Sequence, residues 1–240
     1  MNRKASFNAL ADVLRNFTDE EQLALVDKPD DFKRFVAELA AKSAENIFFS
    51  PFADNEMPEN FQETAAKWRK LAAELSYTGP VVWKVREGFT LKAHAPKAGP
   101  CYKDFGYLQG WNLKNDEPTK SSLAFFIPCL VPGSKSKNVA GQLALLAETR
   151  QRFGLSEHHL SSFGSGAYLA GLILAHFKRT GKRVPFNREW TRTDTLDSGG
   201  RRLGLGGFGG DGLDCGRWVW DGGNRFSSLG CFPLGVELGG

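Results

Sequence analysis

Between Trp190 and Val236 the chain contains no lysine, glutamate, glutamine or methionine, although the 189 residues before it hold 16 Lys, 13 Glu, 5 Gln and 2 Met. Turn-rich β structure disfavours Glu and Lys, which accounts for part of this blank and leaves the rest. Long apolar runs are missing as well. The longest, "AYLAGLILAHF" (Ala167–Phe177) and "LAFFIPCLVP" (Leu123–Pro132), fall short of the roughly 20 residues a membrane helix needs, so no membrane insertion is expected. The opening "MNRKASFNALADVLRN" puts Asp12 and Arg15 where a signal peptide needs its apolar run, and cytoplasmic residence is the expectation. Cysteine is sparse. Cys101, Cys129, Cys215 and Cys231 make no C-x-x-C pair and no zinc spacing, which fits small, partly buried thiols in a reducing compartment. There is no dense basic stripe and the net charge of +4 is modest, so no nucleic-acid partner is expected.

What is present is ordinary for a globular protein. At 240 residues, 41% hydrophobic and 24% charged, the chain has room for one large domain or two small ones. Residues 1–80 read as a helical region of unknown role. There "FKRFVAELAAK" sets Phe32, Phe35, Val36, Leu39 and Ala40 on one stripe, and "MPENFQETAAKWRKLAAEL" does so with Phe61, Trp68, Leu71 and Leu75. "YTGP" (Tyr77–Pro80) marks a boundary, and residues 81–240 form the second part. "VVWKVREGFTLKAHA" predicts a hairpin around Glu87-Gly88, and "SSLAFFIPCLV" a buried strand. "NVAGQLALLAETRQRF" predicts a helix with Val139, Leu143, Leu146 and Ala147 on one face. "GAYLAGLILAHFKRTGK" predicts a second helix, buried because it is apolar nearly all round, and stopped at Gly181. Short strands and turns fill Glu189 to Glu237. The order is α+β and lacks the βαβ alternation of a nucleotide fold.

The stretch "GLGGFGGDGLD" (Gly204–Asp214) satisfies two short motifs at once. Gly204, Gly206 and Gly209 spell the dinucleotide fingerprint G-x-G-x-x-G. That motif needs a helix opening on the glycines, and the following "DGLDCGRWVWDGGNRF" has no helical period, so no row of free N–H groups awaits a pyrophosphate. Gly206, Gly207 and Gly209 with Asp211 and Leu213 spell one calcium nonapeptide, G-G-x-G-x-D-x-U. Such turns share ligands between successive coils, and a single copy supplies half a site.

The missing residue types offer another cause. Codons ending in a pyrimidine encode neither Lys, Glu, Gln, Met nor Trp. If asparagine codons have their adenines randomised, glycine is a frequent product. Glycine is 15 of the last 51 residues, against 12 in the first 189. Trp190, Trp218 and Trp220 cannot arise this way and are expected to be constant scaffold.

The segment "REWTRTDTLDSGGRRLGLGGFGGDGLDCGRWVWDGGNRFSSLGCFPLGVE" (Arg188–Glu237) resembles the variable proteins of diversity-generating retroelements. Its frame looks like "W-x-R-T-D-T-L-x-S-G", "F-x-x-D-G-L", "W-x-W-D" and "S-L-G-x-F-P-L-G-V-E". Upstream, "LLAETRQRFGLSEHHLSSFGSGAYLAGLILAHFKRTGKRVP" is similar to the two-helix part of the C-type lectin fold that these proteins use. The resemblance covers roughly residues 81–240. It implies an α+β C-type lectin-like domain, two helices plus short twisted antiparallel strands, preceded by the small helical region. It implies a ligand-binding protein and not an enzyme, with no cofactor, no metal, and an unidentified ligand that is itself a protein. A reverse transcriptase copies a template with errors at adenines, and the copy replaces the segment at about 190–236.

On this reading Asp197, Arg201, Arg202, Gly204, Gly206, Gly207, Gly209, Gly210, Asp214, Cys215, Gly216, Arg217, Gly222, Gly223, Phe226 and Ser227 are surface positions open to variation. Leu203, Leu205, Phe208, Leu213, Trp218, Trp220 and Leu229 are interior. Arg201, Arg202, Arg217 and Phe226 are the expected energetic anchors, because arginine and aromatics dominate binding hot spots. Two other classes stay open. Formylglycine-generating enzymes share the broad fold and use cysteine chemistry, for which Cys215 and Cys231 are the local candidates. A non-catalytic interaction scaffold is the other. "LSEHHLSS" brings Glu157, His158 and His159 together, but adjacent histidines diverge on a helix and lack the i, i+4 spacing of a helical metal site; a turn or cap at Ser156 is the expectation. "FGSGAY" is not the G-x-S-x-G of a nucleophile elbow.

Overall fold

The computed structural model describes residues 48–52, 57–185, 188–217 and 225–238. The apolar stripe over 32–42, together with Trp218, Trp220, Gly222 and Gly223, lies outside the described residues. The chain divides into two units, Met1–Ile47 and Phe48–Gly240. The expected boundary at Tyr77–Pro80 therefore falls inside the second unit. The reason is helix α1 (Glu59–Glu74), which buries Ala65, Trp68, Leu71 and Ala72 along one face. These side chains share a core cluster with Val82, Phe125 and Ile127 from beyond the "YTGP" turn. Burial of the larger of these, Trp68 and Leu71, is worth roughly 1.5–3 kcal/mol each, and that gain is made against the sheet that α1 covers.

That sheet runs in the order β1-β2-β3-β8, with every neighbour antiparallel: β1 (Phe49–Pro51), β2 (Val82–Val85), β3 (Ser122–Phe126) and β8 (Leu234–Leu238). Both its faces are covered, and the pleat shows how. Along β3, Ala124 and Phe126 point into one core cluster, while Phe125 and, just past the strand, Ile127 point into the other. A strand buried on both sides has no reason to alternate apolar with polar, hence the continuous "LAFFI".

The expected hairpin around Glu87-Gly88 does not form. β2 pairs instead with β1 and β3, and "LKAHAPKA" is helix α2 (Leu91–Ala98). Thr90 caps it by accepting from the Ala93 N–H at 3.3 Å, and Leu91, Ala95 and Ala98 are buried at helical spacing. A 3-10 segment, Tyr102–Gly110, follows. The two expected helices are present as α3 (Val139–Phe153) and α4 (Gly166–Thr180). The face of α3 differs from expectation: Gln142, Leu146 and Thr149 are buried, while Val139, Leu143 and Ala147 are half-buried. α4 is buried along most of its length, capped by Ser165 and ended by Gly181 at φ 69°.

The second sheet runs β6-β5-β4-β7, from β4 (Trp190–Leu196), β5 (Arg202–Gly209), β6 (Gly212–Gly216) and β7 (Leu229–Gly230). β4 and β5, and β5 and β6, are antiparallel; β7 lies parallel to β4. The whole of this sheet, and all but the last two residues of β8, comes from the segment that lacks Lys, Glu, Gln and Met. Leu203, Leu205, Phe208, Leu213 and Leu229 are interior as expected.

Candidate ligand-binding surface

The residues expected to form one variable surface are distributed round the second sheet. Asp197, Arg201 and Arg202 lie at the β4–β5 turn, and Gly209 and Gly210 at the β5–β6 turn, at opposite ends of the eight-residue strand β5. At about 3.3 Å per residue those ends are roughly 25 Å apart. Phe226, half-buried, and exposed Ser227 precede β7 at the edge of the sheet far from β6. Asp214 is half-buried on β6 and Arg217 is exposed just past it.

Among the described residues, five of the expected surface positions are buried: Asp197, Gly204, Gly206, Cys215 and Gly216. Asp197 holds the β4–β5 turn. Its Oδ1 accepts from the Gly199 and Arg201 backbone N–H groups at 2.9 and 3.0 Å, and its Oδ2 accepts from Arg201 Nε at 2.7 Å. Burial opposes ionisation of this carboxyl, and the Arg201 hydrogen bonds outweigh it, holding the group below its usual range. Arg202 pairs with Asp194 at 2.9 Å and lies over the Phe163 ring. Both arginines thus have intramolecular carboxylates to hold.

Gly206 is needed for close approach. A Cβ there would stand 2.3 Å from the Glu189 carbonyl oxygen and 2.6 Å from the Trp190 Cα. Gly212 combines φ +103° with a Cβ position 2.7 Å from the Cys101 carbonyl carbon. Gly210 is the opposite case, with no atom within 4 Å. The glycine-rich stretch therefore mixes glycines the fold requires with one that faces open space.

The outer edge of β6 is covered by the segment entering and forming the 3-10 turns. Leu213 N–H donates to the Pro100 carbonyl at 2.9 Å, and Cys215 N–H donates to the Tyr107 hydroxyl at 3.0 Å. That hydroxyl in turn donates to Asp214 Oδ1 at 2.7 Å. Burial first, and then the Asp214 bond, push the Tyr107 phenol up, so it keeps its proton. Beside it Tyr102, Tyr107 and Trp111 form a run of half-buried rings, with centroids 6.2 and 5.4 Å apart. The Arg217 guanidinium carbon sits 4.6 Å from the Trp111 centroid. Asp214 and Arg217 are thus brought together with aromatics from a distant part of the chain. Within this segment Lys103, Asp104 and Phe105 are left-handed, at φ 48°, 48° and 53°. That conformation costs roughly 1–2 kcal/mol per non-glycine residue, which burial of Phe105 and Leu108 offsets.

The other candidates are structural. His158 is exposed and 3.9 Å from Glu157, while His159 is fully buried and accepts from Trp68 Nε1 at 3.0 Å on Nδ1. Ser156 closes a turn through its carbonyl, which accepts from the His159 N–H at 3.1 Å. Buried Gln142 accepts from Arg192 Nε at 2.8 Å and donates to the Ser134 and Leu229 carbonyls, tying α3 to the second sheet. Among the described residues no His, Cys, Asp and Glu side chains gather with the geometry of a metal site. Burial pushes the Cys101 and Cys231 thiols up to about 12, and it holds the Cys215 thiol well above its usual value too. No helix among the described residues is long and apolar enough to cross a membrane. No family model, no curated protein and no solved structure matches this chain.

Proposed function

We propose that this chain is a ligand-binding variable protein whose segment at about 190–236 is diversified by a retroelement through adenine-directed mutagenesis, on a C-type lectin-like scaffold. The observation that carries the reading is the absence of Lys, Glu, Gln and Met across Trp190–Val236. The structure makes it harder to explain by burial alone. Arg201, Gly210, Asp211, Arg217, Arg225 and Ser227 are exposed or partly so, and lysine, glutamate and glutamine suit such positions as well as the residues found there. A protein ligand fits the available surface, which offers exposed or half-buried arginine, aspartate and aromatic groups. The cysteine-based alternative gains nothing from the geometry. Thiolates are the reactive form, and three of the thiols are buried with their ionisation suppressed.

The test is DNA sequencing of the 3′ end of the gene and its flanks across many cells of the source population. The expected result is a near-copy of the Trp190–Val236 coding segment close by, differing only where the copy has adenine, with a reverse transcriptase gene beside it. An invariant, single-copy segment ends the proposal.

A further inference from the structure

We propose that the ring face of Tyr102, Tyr107 and Trp111 is a subsite for a basic side chain, arginine above all, of a protein partner, and that the residue at position 217 decides whether the subsite is open. The proposal rests on the ligand-binding reading above for its biological sense, but its chemistry stands on the surface itself. Two of the three rings already carry cations of the chain: Arg217 over Trp111 at 4.6 Å and Lys103 over Tyr102 at 5.2 Å. The rings stand at 57° and 64° to their neighbours, and the faces of Tyr102 and Trp111 are the ones that carry these cations. Asp214 is bonded to the Tyr107 hydroxyl, exposed Asp104 follows Tyr102 in the same turns, and Asp116 is close enough to raise the Cys215 thiol. Asp116 Oδ1 is buried with no hydrogen-bond partner, and Lys92, its electrostatic neighbour, donates to the Trp111 carbonyl. A planar guanidinium stacks on a ring and bonds a carboxylate at once, which an ammonium does less well.

Position 217 is the gate because of where the two partners lie in the chain. Trp111 precedes the segment that lacks Lys, Glu, Gln and Met, whereas Arg217 is inside it. A constant indole therefore faces a side chain that diversification changes. Arginine at 217 covers the indole with the chain's own guanidinium, and glycine, a frequent product at randomised adenines, leaves it bare for a partner's arginine.

The experiment follows the Trp111 indole N–H in ¹H–¹⁵N spectra of the full chain and of Arg217→Gly, with the signal identified by its loss in Trp111→Phe. The probe is N-acetyl-argininamide, with N-acetyl-glutaminamide as the uncharged control. In Arg217→Gly the arginine probe is expected to shift the signal saturably, with an affinity about three- to tenfold above that of the unchanged chain, and the glutamine probe to leave it in place. Equal shifts in both chains, or none in Arg217→Gly, overturn the proposal. Arg217→Ser repeats the reading should glycine loosen the strand end. Failure here leaves the sequencing test untouched, and an invariant gene leaves the probe's affinity for Arg217→Gly unchanged, so the two failures are distinguishable.

Discussion

Single residues decide which part of the glycine-rich stretch is free to change. Gly206 and Gly210 look alike in the sequence, four positions apart, yet the backbone at Glu189 and Trp190 stands where a Gly206 Cβ would go, and nothing stands near Gly210. Gly206→Ala is expected to cost at least about 1–3 kcal/mol, the range for forcing extra atoms into packed structure. Gly210→Ala stays within about 0.5 kcal/mol, as for other surface changes. Urea unfolding of the two variants compares them directly, and equal midpoints show the crowding at Gly206 to be relieved by a backbone shift. Asp197 teaches the same lesson for charged side chains. Its residue type is one that randomised codons yield, but its place at the turn makes it the acceptor for three groups around Gly199 and Arg201. Residue type was legible in the sequence, and burial was not.

Elements came out of the sequence where their periodicity was strong and local. α3 and α4 were readable from apolar spacing and from Gly181, and β3 from its apolar run. The hairpin expected around Glu87-Gly88 failed because β2 found its partners at Phe49–Pro51 and Ser122–Phe126, and Thr90 was a better helix cap than a strand residue. The edge of β6 depends on a similarly distant contact. Tyr107 supplies a side-chain acceptor where a neighbouring strand would supply a carbonyl, and it lies 108 positions from Cys215 in the chain. Tyr107→Phe removes that acceptor and the donor to Asp214 together. Asp214 Oδ1 still accepts from the Cys215 N–H at 2.8 Å, so the expected cost is that of a lost shared hydrogen bond, about 0.5–1.5 kcal/mol, and the Cys215 amide should exchange with solvent faster than in the parent. Unchanged exchange at Cys215 assigns the strand edge to other contacts. The aromatics of "CYKDFGYLQGW" were in view in the sequence, but nothing in their spacing tied them to β6.

At the scale of the whole molecule, two buried histidines give the unit a dependence on acidity. Burial lowers both His159 and His176 from 6.5 to about 4. His159 uses Nδ1 to accept from Trp68, and its Nε2 lies 3.1 Å from Glu237 Oε1, whose charge favours protonation without overcoming the burial. Above pH 6.5 both rings are neutral folded or unfolded, and neither affects stability. Between 6.5 and 4 the unfolded chain takes up protons that the native one refuses, so stability falls with pH by up to about 1.4 kcal/mol per unit for each ring. The decline flattens near pH 4, where the folded rings protonate too. Denaturant melts from pH 7.5 to 4 on the parent and on His176→Gln test this, the variant being expected to lose up to about half of the slope; an unchanged slope places the proton uptake elsewhere. By itself the sequence determined the residue-type blank at Trp190–Val236, the α+β order and the existence of α3, α4 and β3, because codon usage and helical or strand periods are properties of neighbouring residues. Only the tertiary structure decided that α1 belongs with the sheet, that Asp197, Gly206 and Cys215 are interior, and that Tyr107 and Trp111 stand beside Asp214 and Arg217. Those facts depend on which distant segments exclude water together, and burial between segments far apart in the chain leaves no local period to read.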